Sequence, residues 1–140
     1  MTSKTAEQAM NDAPIDNNTG LPESYSFRQD DEITPRETHK RTQANDGLVV
    51  IDCREDDELQ TSKLDIAVHI PLGKLVNEVD DVAYDLPHGK DTPTAILCRT
   101  GKRSLMAALA LRRMGFTDIK SVAGGIDLWA RDIDTTLTRY

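Results

Sequence analysis

Hydrophobic positions along the chain gather in short runs separated by polar stretches, and the runs follow two different periods. Leu48–Asp52 (LVVID) is a continuous β-prone run, the pattern of a strand covered on both faces. Ile66–Ile70 (IAVHI) reads as a second strand, stopped by Pro71, and Thr94–Leu97 (TAIL) as a third, short one. Ile119 and Val122 mark a last strand before the Gly124-Gly125 turn, and Glu32-Ile33 is a short strand near the start. Helical signals lie between them. Thr34 can cap a helix that has Pro35 at its first position and Glu37 to complete a capping box. That polar helix ends at the Asn45-Asp46-Gly47 turn signal. Glu55–Gln60 forms a short polar helix, Leu72, Leu75, Val76 and Val79 recur at helical spacing, and 86–91 is a loop. Ser104–Met114 (SLMAALALRRM) is a helix of strong formers ended by Gly115, and a last short helix surrounds Trp129. Strands alternating with helices predict an α/β domain with a mainly parallel five-stranded sheet over residues 29–140.

Residues 1–28 follow neither period. They are rich in Thr, Ser, Asn, Asp and Gln, with Pro14, Gly20 and Pro22 as breakers, and predict a flexible acidic arm or a loosely docked extension, with too little apolar area to offset its ordering entropy. Tyr25 and Phe27 are its candidate anchors. Lys4 and Arg28 are outnumbered in this region by Glu7, Asp12, Asp16, Glu23, Asp30, Asp31 and Glu32. The whole chain carries a formal net charge of -7, which argues against a nucleic-acid partner. No apolar run suggests a membrane span, and the opening MTSKTAEQAMNDAP lacks the apolar stretch of a secretory signal, so a cytoplasmic protein is expected. The two cysteines are too few for a disulfide framework, and His39, His69 and His88 do not fall at metal-ligand spacings with them; no metal site and no cofactor are expected.

One short segment departs from the acidic background. Cys98 follows the TAIL strand, and Arg99, Thr100, Gly101, Lys102, Arg103 and Ser104 lead from it into the next helix. In open parallel sheets reactive groups collect beyond the carboxyl ends of the strands. Gly101 lets the backbone curl into an amide nest, the helix start adds partial positive charge, and three cations surround the sulfur. Each feature favours a thiolate, which makes Cys98 the candidate nucleophile. A buried, inert thiol amid solvated cations is the bland alternative.

CRTGKRS (98–104) resembles the active-site loop of rhodanese domains, in which Cys-Arg-x-Gly-x-Arg-Ser is a frequent form. VIDCRE (50–55) resembles the family's Ile-Asp-Val-Arg-Glu segment and AVHIPL (67–72) its Ala-x-x-Ile-Pro-Leu segment. Gly115-Phe116 and the stretch from Gly124 to Trp129 are similar to its later signatures. The likeness runs from about residue 32 to the end, and the ending GGIDLWARDIDTTLTRY is similar to rhodanese domains attached to enzymes that activate ubiquitin-like sulfur carriers. Residues 62–67 (SKLDIA) depart from the usual Gly-His-Ile-Pro-Gly-Ala, a difference in a turn rather than at the reacting atom.

The resemblance implies a three-layer α/β/α fold and a sulfurtransferase working through a Cys98 persulfide. The donor would be a small anion such as thiosulfate, and the acceptor cyanide, a thiol, or a sulfur-carrier or other acceptor protein. Backbone amides of the loop would hold the charged sulfur. Arg99, Lys102 and Arg103 would attract the donor's oxyanion end, while Thr100 and Ser104 add hydroxyl hydrogen bonds. Asp52 and Arg54 would support the loop or the pocket rim, against the alternative of an exposed ion pair. Cys53 reads either as a small buried side chain or as a partner able to resolve oxidised Cys98. Two rivals stand beside this reading. A phosphatase of related fold needs five residues between Cys and Arg, one more than this loop has. A sulfur-relay or binding module would accept persulfide sulfur from a partner with little thiosulfate turnover.

Overall fold

The structure, a computed structural model, describes residues 6–140. Strands β1 (Glu32–Ile33), β2 (Val49–Asp52), β3 (Ala67–His69), β4 (Thr94–Leu97) and β5 (Ile119–Val122) form one sheet in the order β1-β5-β4-β2-β3. Every pairing is parallel. The helices are α1 (Ala6–Asn11), α2 (Pro35–Gln43), α3 (Asp56–Thr61), α4 (Leu72–Asn77), α5 (Val79–Tyr84), α6 (Lys102–Arg113) and α7 (Gly125–Asp132). This is the α/β architecture that the alternation of periods predicts. Among the described residues, no helix is long and apolar enough to cross a membrane.

The two-residue period of the central strands assigns the layers. Ile51 and Ile96 point into a core with Leu75, Val82, Ala108 and Leu111 from α4, α5 and α6. Val50, Ala95 and Leu97 point the other way, onto Val122, Ile126 and Trp129. Thr34 caps α2 as expected, accepting from the Glu37 amide at 3.1 Å. The helical repeat after Pro71 is broken at Glu78 (φ -122°, ψ 44°), which divides it into α4 and α5. The IAVHI segment supplies the edge strand β3, where Val68 is 53% exposed. His39 meets Trp129 edge-on at 5.9 Å.

Residues 6–28 are packed against the domain, as a docked extension rather than a flexible arm; Lys4 lies outside the described residues. The packing is largely polar, which is why a test based on apolar content misses it. Asn11 is wholly buried, its amide donating to the Gly124 carbonyl and to Asp127, each at 3.1 Å. Arg139 bridges Asp12 and Asp127, Arg131 holds the carbonyls of Asn11 and Ala13, and Arg36 spans from Asp132 to the Asn17 carbonyl. Leu21 adds a small apolar contact with Ala123 and Leu128. Tyr25 does anchor the end of the segment, donating to Glu32 at 2.6 Å. Phe27 stays 37% exposed.

Beyond β2 the chain is clamped by a fully buried arginine. Arg54 forks onto Asp52, with Nε–Oδ1 at 3.0 Å and Nη2–Oδ2 at 2.8 Å, so the exposed-pair alternative does not hold. Its other donors reach the Ser62 carbonyl at 2.7 Å and the Tyr140 hydroxyl at 2.9 Å. The His69 ring nitrogen Nε2 bonds the Arg54 carbonyl at 2.7 Å. A buried ion pair survives only when its remaining donors and lone pairs are filled, and here they join β2, α3, β3 and the C-terminal residue. Arg54→Met is expected to destabilise the fold by about 3–5 kcal/mol, because it strands the Asp52 carboxylate. Combining it with Asp52→Asn should recover part of that loss in urea denaturation. An equal loss in the single and double variants would show that the stranded charge is not the cause.

Candidate active site

The residues that converge on Cys98 come from the loop after β4 and the first turn of α6. The sulfur accepts from the Gly101 amide at 3.1 Å and the Ser104 amide at 3.4 Å, and the Ser104 hydroxyl lies 3.2 Å away. The Ser104 amide is one of the donors that every helix start leaves unpaired, here directed at one atom. Gly101, just before α6, has φ +102°, which a side chain would strain. Behind the sulfur, the Ser104 and Ser121 hydroxyls share a hydrogen bond of 2.7 Å, and both lie within reach of the Gly101 carbonyl. Cys98 itself is 1% exposed.

A second helix start determines which way the loop peptides face. The Ile126 amide donates to the Cys98 carbonyl and the Asp127 amide to the Arg99 carbonyl, both at 2.9 Å. Those two bonds seat the first two peptides of the loop on the start of α7, and the chain then leads into Gly101, whose amide reaches the sulfur. Gly125 makes the contact possible. A Cβ there would stand 2.5 Å from both carbonyl oxygens, at a backbone φ of +60°.

The three loop cations are used differently. Arg103 makes a two-pronged pair with Glu58, at 2.7 and 2.9 Å, and the Tyr140 hydroxyl donates to the same carboxylate at 2.7 Å. The Arg103 hydrogen bonds hold the Glu58 carboxyl down to about 2 against its partial burial. Burial pushes the Tyr140 phenol up to about 12, with Arg54 opposing the shift and Glu58 adding to it. The Arg99 guanidinium stacks on the Tyr140 ring, 4.6 Å from its centroid. Its Nε is a buried donor that meets no acceptor among the described residues. Lys102 is exposed and Thr100 half-buried.

The structure therefore gathers Cys98, Gly101 and Ser104 into one cradle. It places Arg99, Thr100 and Lys102 around it and directs Arg103 away to Glu58. Asp52 and Arg54 reach the loop only indirectly, since the Arg54 guanidinium and Glu58 share the Tyr140 hydroxyl. Sequence reading missed Glu58, Ser121, Gly125 and Tyr140 as contributors. Glu58 carried a weak signal, being the third helical residue of a capping box begun by Glu55. Ser121 and Tyr140 carried none. Among the described residues, no group of three or more His, Cys, Asp and Glu is arranged to hold a metal ion.

The chain is similar to known proteins over most of its length. The probable adenylyltransferase/sulfurtransferase MoeZ of Mycobacterium tuberculosis is 33% identical over 108 residues, covering 77% of this chain and 26% of that protein. The putative sulfur carrier protein YrkF of Bacillus subtilis is 31% identical over 98 residues, covering 70% of this chain and 50% of that one. The chain thus spans about a quarter to a half of the length of these relatives. The crystal structure of a rhodanese-related protein from Thermoplasma volcanium superposes with a TM-score of 0.62 at 24% identity, covering 74% of this chain and 93% of that one, a likeness of fold alone. The sequence model of the rhodanese-like domain matches residues 34–132, and the chain belongs to the rhodanese-like domain family.

Proposed function

We propose that this chain is a sulfurtransferase that carries sulfane sulfur as a persulfide on Cys98. The observation that carries the reading is the convergence of two amides and one hydroxyl on a single buried sulfur. Such donors stabilise a thiolate, and equally the terminal sulfur that replaces it one bond further out. The Cys98 thiolate attacks the outer sulfur of thiosulfate, the sulfur–sulfur bond of the donor breaks, and sulfite leaves with the bonding pair. Cyanide or a thiol then removes the outer sulfur and restores the thiolate, a two-step covalent transfer. Because the nucleophile is 1% exposed, it suits a donor that offers one terminal sulfur atom. The unpaired Arg99 Nε and the neighbouring Lys102 supply the attraction for the donor's sulfonate end. Arg103 takes a positioning role through Glu58, and the same pairing weighs against a phosphatase, whose arginine must grip the phosphate.

A relay role is the second reading. The matched relatives include an adenylyltransferase/sulfurtransferase and a sulfur carrier, in which a domain like this one forms only part of the chain. In that role the donor is a partner's persulfide and the acceptor a carrier protein, with the same Cys98 chemistry.

Intact-mass spectrometry after thiosulfate treatment is expected to show a gain of one sulfur atom. Cys98→Ser should abolish the gain, Cys53→Ser should keep it, and cyanide should reverse it. No adduct on the wild type would exclude the thiosulfate reading, and loading by a protein persulfide would then support the relay.

Gly125→Ala is expected to lower thiosulfate:cyanide transfer at least tenfold by pushing the Cys98 and Arg99 carbonyls away from α7. Unchanged kcat/KM would mean that the loop does not depend on that seat. Glu58→Gln tests the Arg103 anchor. A carboxyl held below its unfolded value contributes stability above about pH 4.3, lost as pH falls toward about 2. The stability gap between wild type and Glu58→Gln should therefore be full at neutral pH and close progressively over that window. A gap independent of pH would assign the effect to shape rather than charge.

A further inference from the structure

Cys53 takes no part in sulfur transfer as described, yet the sheet sets it beside the nucleophile. The register pairs Asp52 of β2 with Leu97 of β4, so the next residues, Cys53 and Cys98, stand opposite one another. The Cys53 amide donates to the Leu97 carbonyl at 2.9 Å, which extends the ladder one step. Alternation then places both side chains on one face. Ile51 and Ile96, two residues earlier, point into the α4–α6 core, and both cysteines belong to that same core. Both thiols are free and buried.

Adjacent strands lie about 4.7–4.9 Å apart, inside the range of roughly 4.4–6.8 Å between the Cα atoms of a disulfide. The bond also needs Cβ atoms about 3.8 Å apart, closer than parallel neighbours in a regular ladder. Each cysteine lies one residue past the end of its strand, and beyond the Cys53–Leu97 bond their carbonyls turn to the Leu72 and Ile126 amides rather than to one another's strand.

We propose that Cys53 is a resolving cysteine, which closes a disulfide onto Cys98 when a hydroperoxide oxidises the nucleophile. The proposal rests on the reading of Cys98 as a reactive thiolate and adds a mode of regulation at that site. The thiolate attacks the peroxide O–O bond, giving Cys98 sulfenic acid and releasing hydroxide, or an alkoxide from an organic hydroperoxide, which takes its proton from solvent. The Cys53 sulfur then bonds to the Cys98 sulfur, and the departing hydroxyl leaves as water with the Cys53 proton. The two sulfurs together lose two electrons, which the peroxide gains. Burial, and then the neighbouring Cys98 charge, push the Cys53 thiol up, so it stays protonated beside the working thiolate. It becomes a partner only when Cys98 turns electrophilic. The disulfide withdraws the sulfur from donors and from further oxidation to the sulfinic acid, and a dithiol reductant reopens it.

The test treats the full chain with hydrogen peroxide, with no sulfur donor present, and reads the non-reduced intact mass. Wild type should lose two hydrogen masses as a monomer, with peptide mapping locating the Cys53–Cys98 link. Cys53→Val and Cys53→Ser should instead gain two or three oxygens at Cys98. Dithiothreitol should restore a free Cys98 thiol to the oxidised wild type and not to the variants. Three results would overturn the proposal: oxygenation of wild type as fast as of Cys53→Val, Cys98 linked only between chains, or a wild type still reduced when a free cysteine control is consumed. The mass readout needs no sulfur transfer, so it fails separately from the sulfurtransferase reading.

Discussion

Two hydrogen bonds at the start of α7 govern the geometry of the site. By holding the Cys98 and Arg99 carbonyls, the Ile126 and Asp127 amides fix the orientation of the peptides that follow. The peptides they seat lead directly into Gly101, so the hold on α7 sets where the Gly101 amide meets the sulfur. Two helix starts thus cooperate across the sheet. One, at α6, gives its amide to the sulfur, and the other, at α7, holds the carbonyls away from it. Both rely on close approach of backbone to backbone, which explains Gly125 against the loop carbonyls and Gly101 near the Gly124 nitrogen.

Around this core of backbone contacts runs a chain of charged side chains. Asp52 pairs with Arg54, Arg54 with the Tyr140 hydroxyl, Tyr140 with Glu58, and Glu58 with Arg103 on the first turn of α6. Charge-assisted, two-pronged contacts hold direction as well as distance. The end of β2, the helix α3 and the last residue of the chain are thereby tied to the loop that follows β4. Arg99, stacked on the same tyrosine, is the loop arginine left with an unfilled buried donor.

The acidic first segment obeys the same electrostatic logic. Its carboxylate and carbonyl oxygens meet Arg36, Arg131 and Arg139, cations that α2 and the C-terminal stretch turn toward it. Asn11 bonds the Gly124 carbonyl and Asp127, beside the turn that seats the Cys98 loop, and Leu21 and Tyr25 pack with Ala123 and Leu128. The segment therefore supports the back of the site from the side opposite α6.

What the sequence determined by itself is the part encoded in periods and contiguous motifs. Short β-prone runs alternating with helical repeats specify a parallel α/β sheet. The strand–loop–helix segment TAIL-CRTGKRS specifies a cysteine set between a strand's carboxyl end and a helix start, because strand, Gly101 and helix start are neighbours in the chain. Tertiary structure decided whatever depends on residues far apart. Arg103 looked like a free cation until α3 brought Glu58 to it, and Arg54 looked exposable until Ser62 and Tyr140 enclosed it. The opening segment looked unable to pack because its partners are arginines up to 127 residues away. Cys53 and Cys98 became neighbours only through the β2–β4 register. Local periodicity records which face of an element is apolar. It holds no record of which donor meets which acceptor across the sheet, and in this protein those pairings arrange the charges around the sulfur.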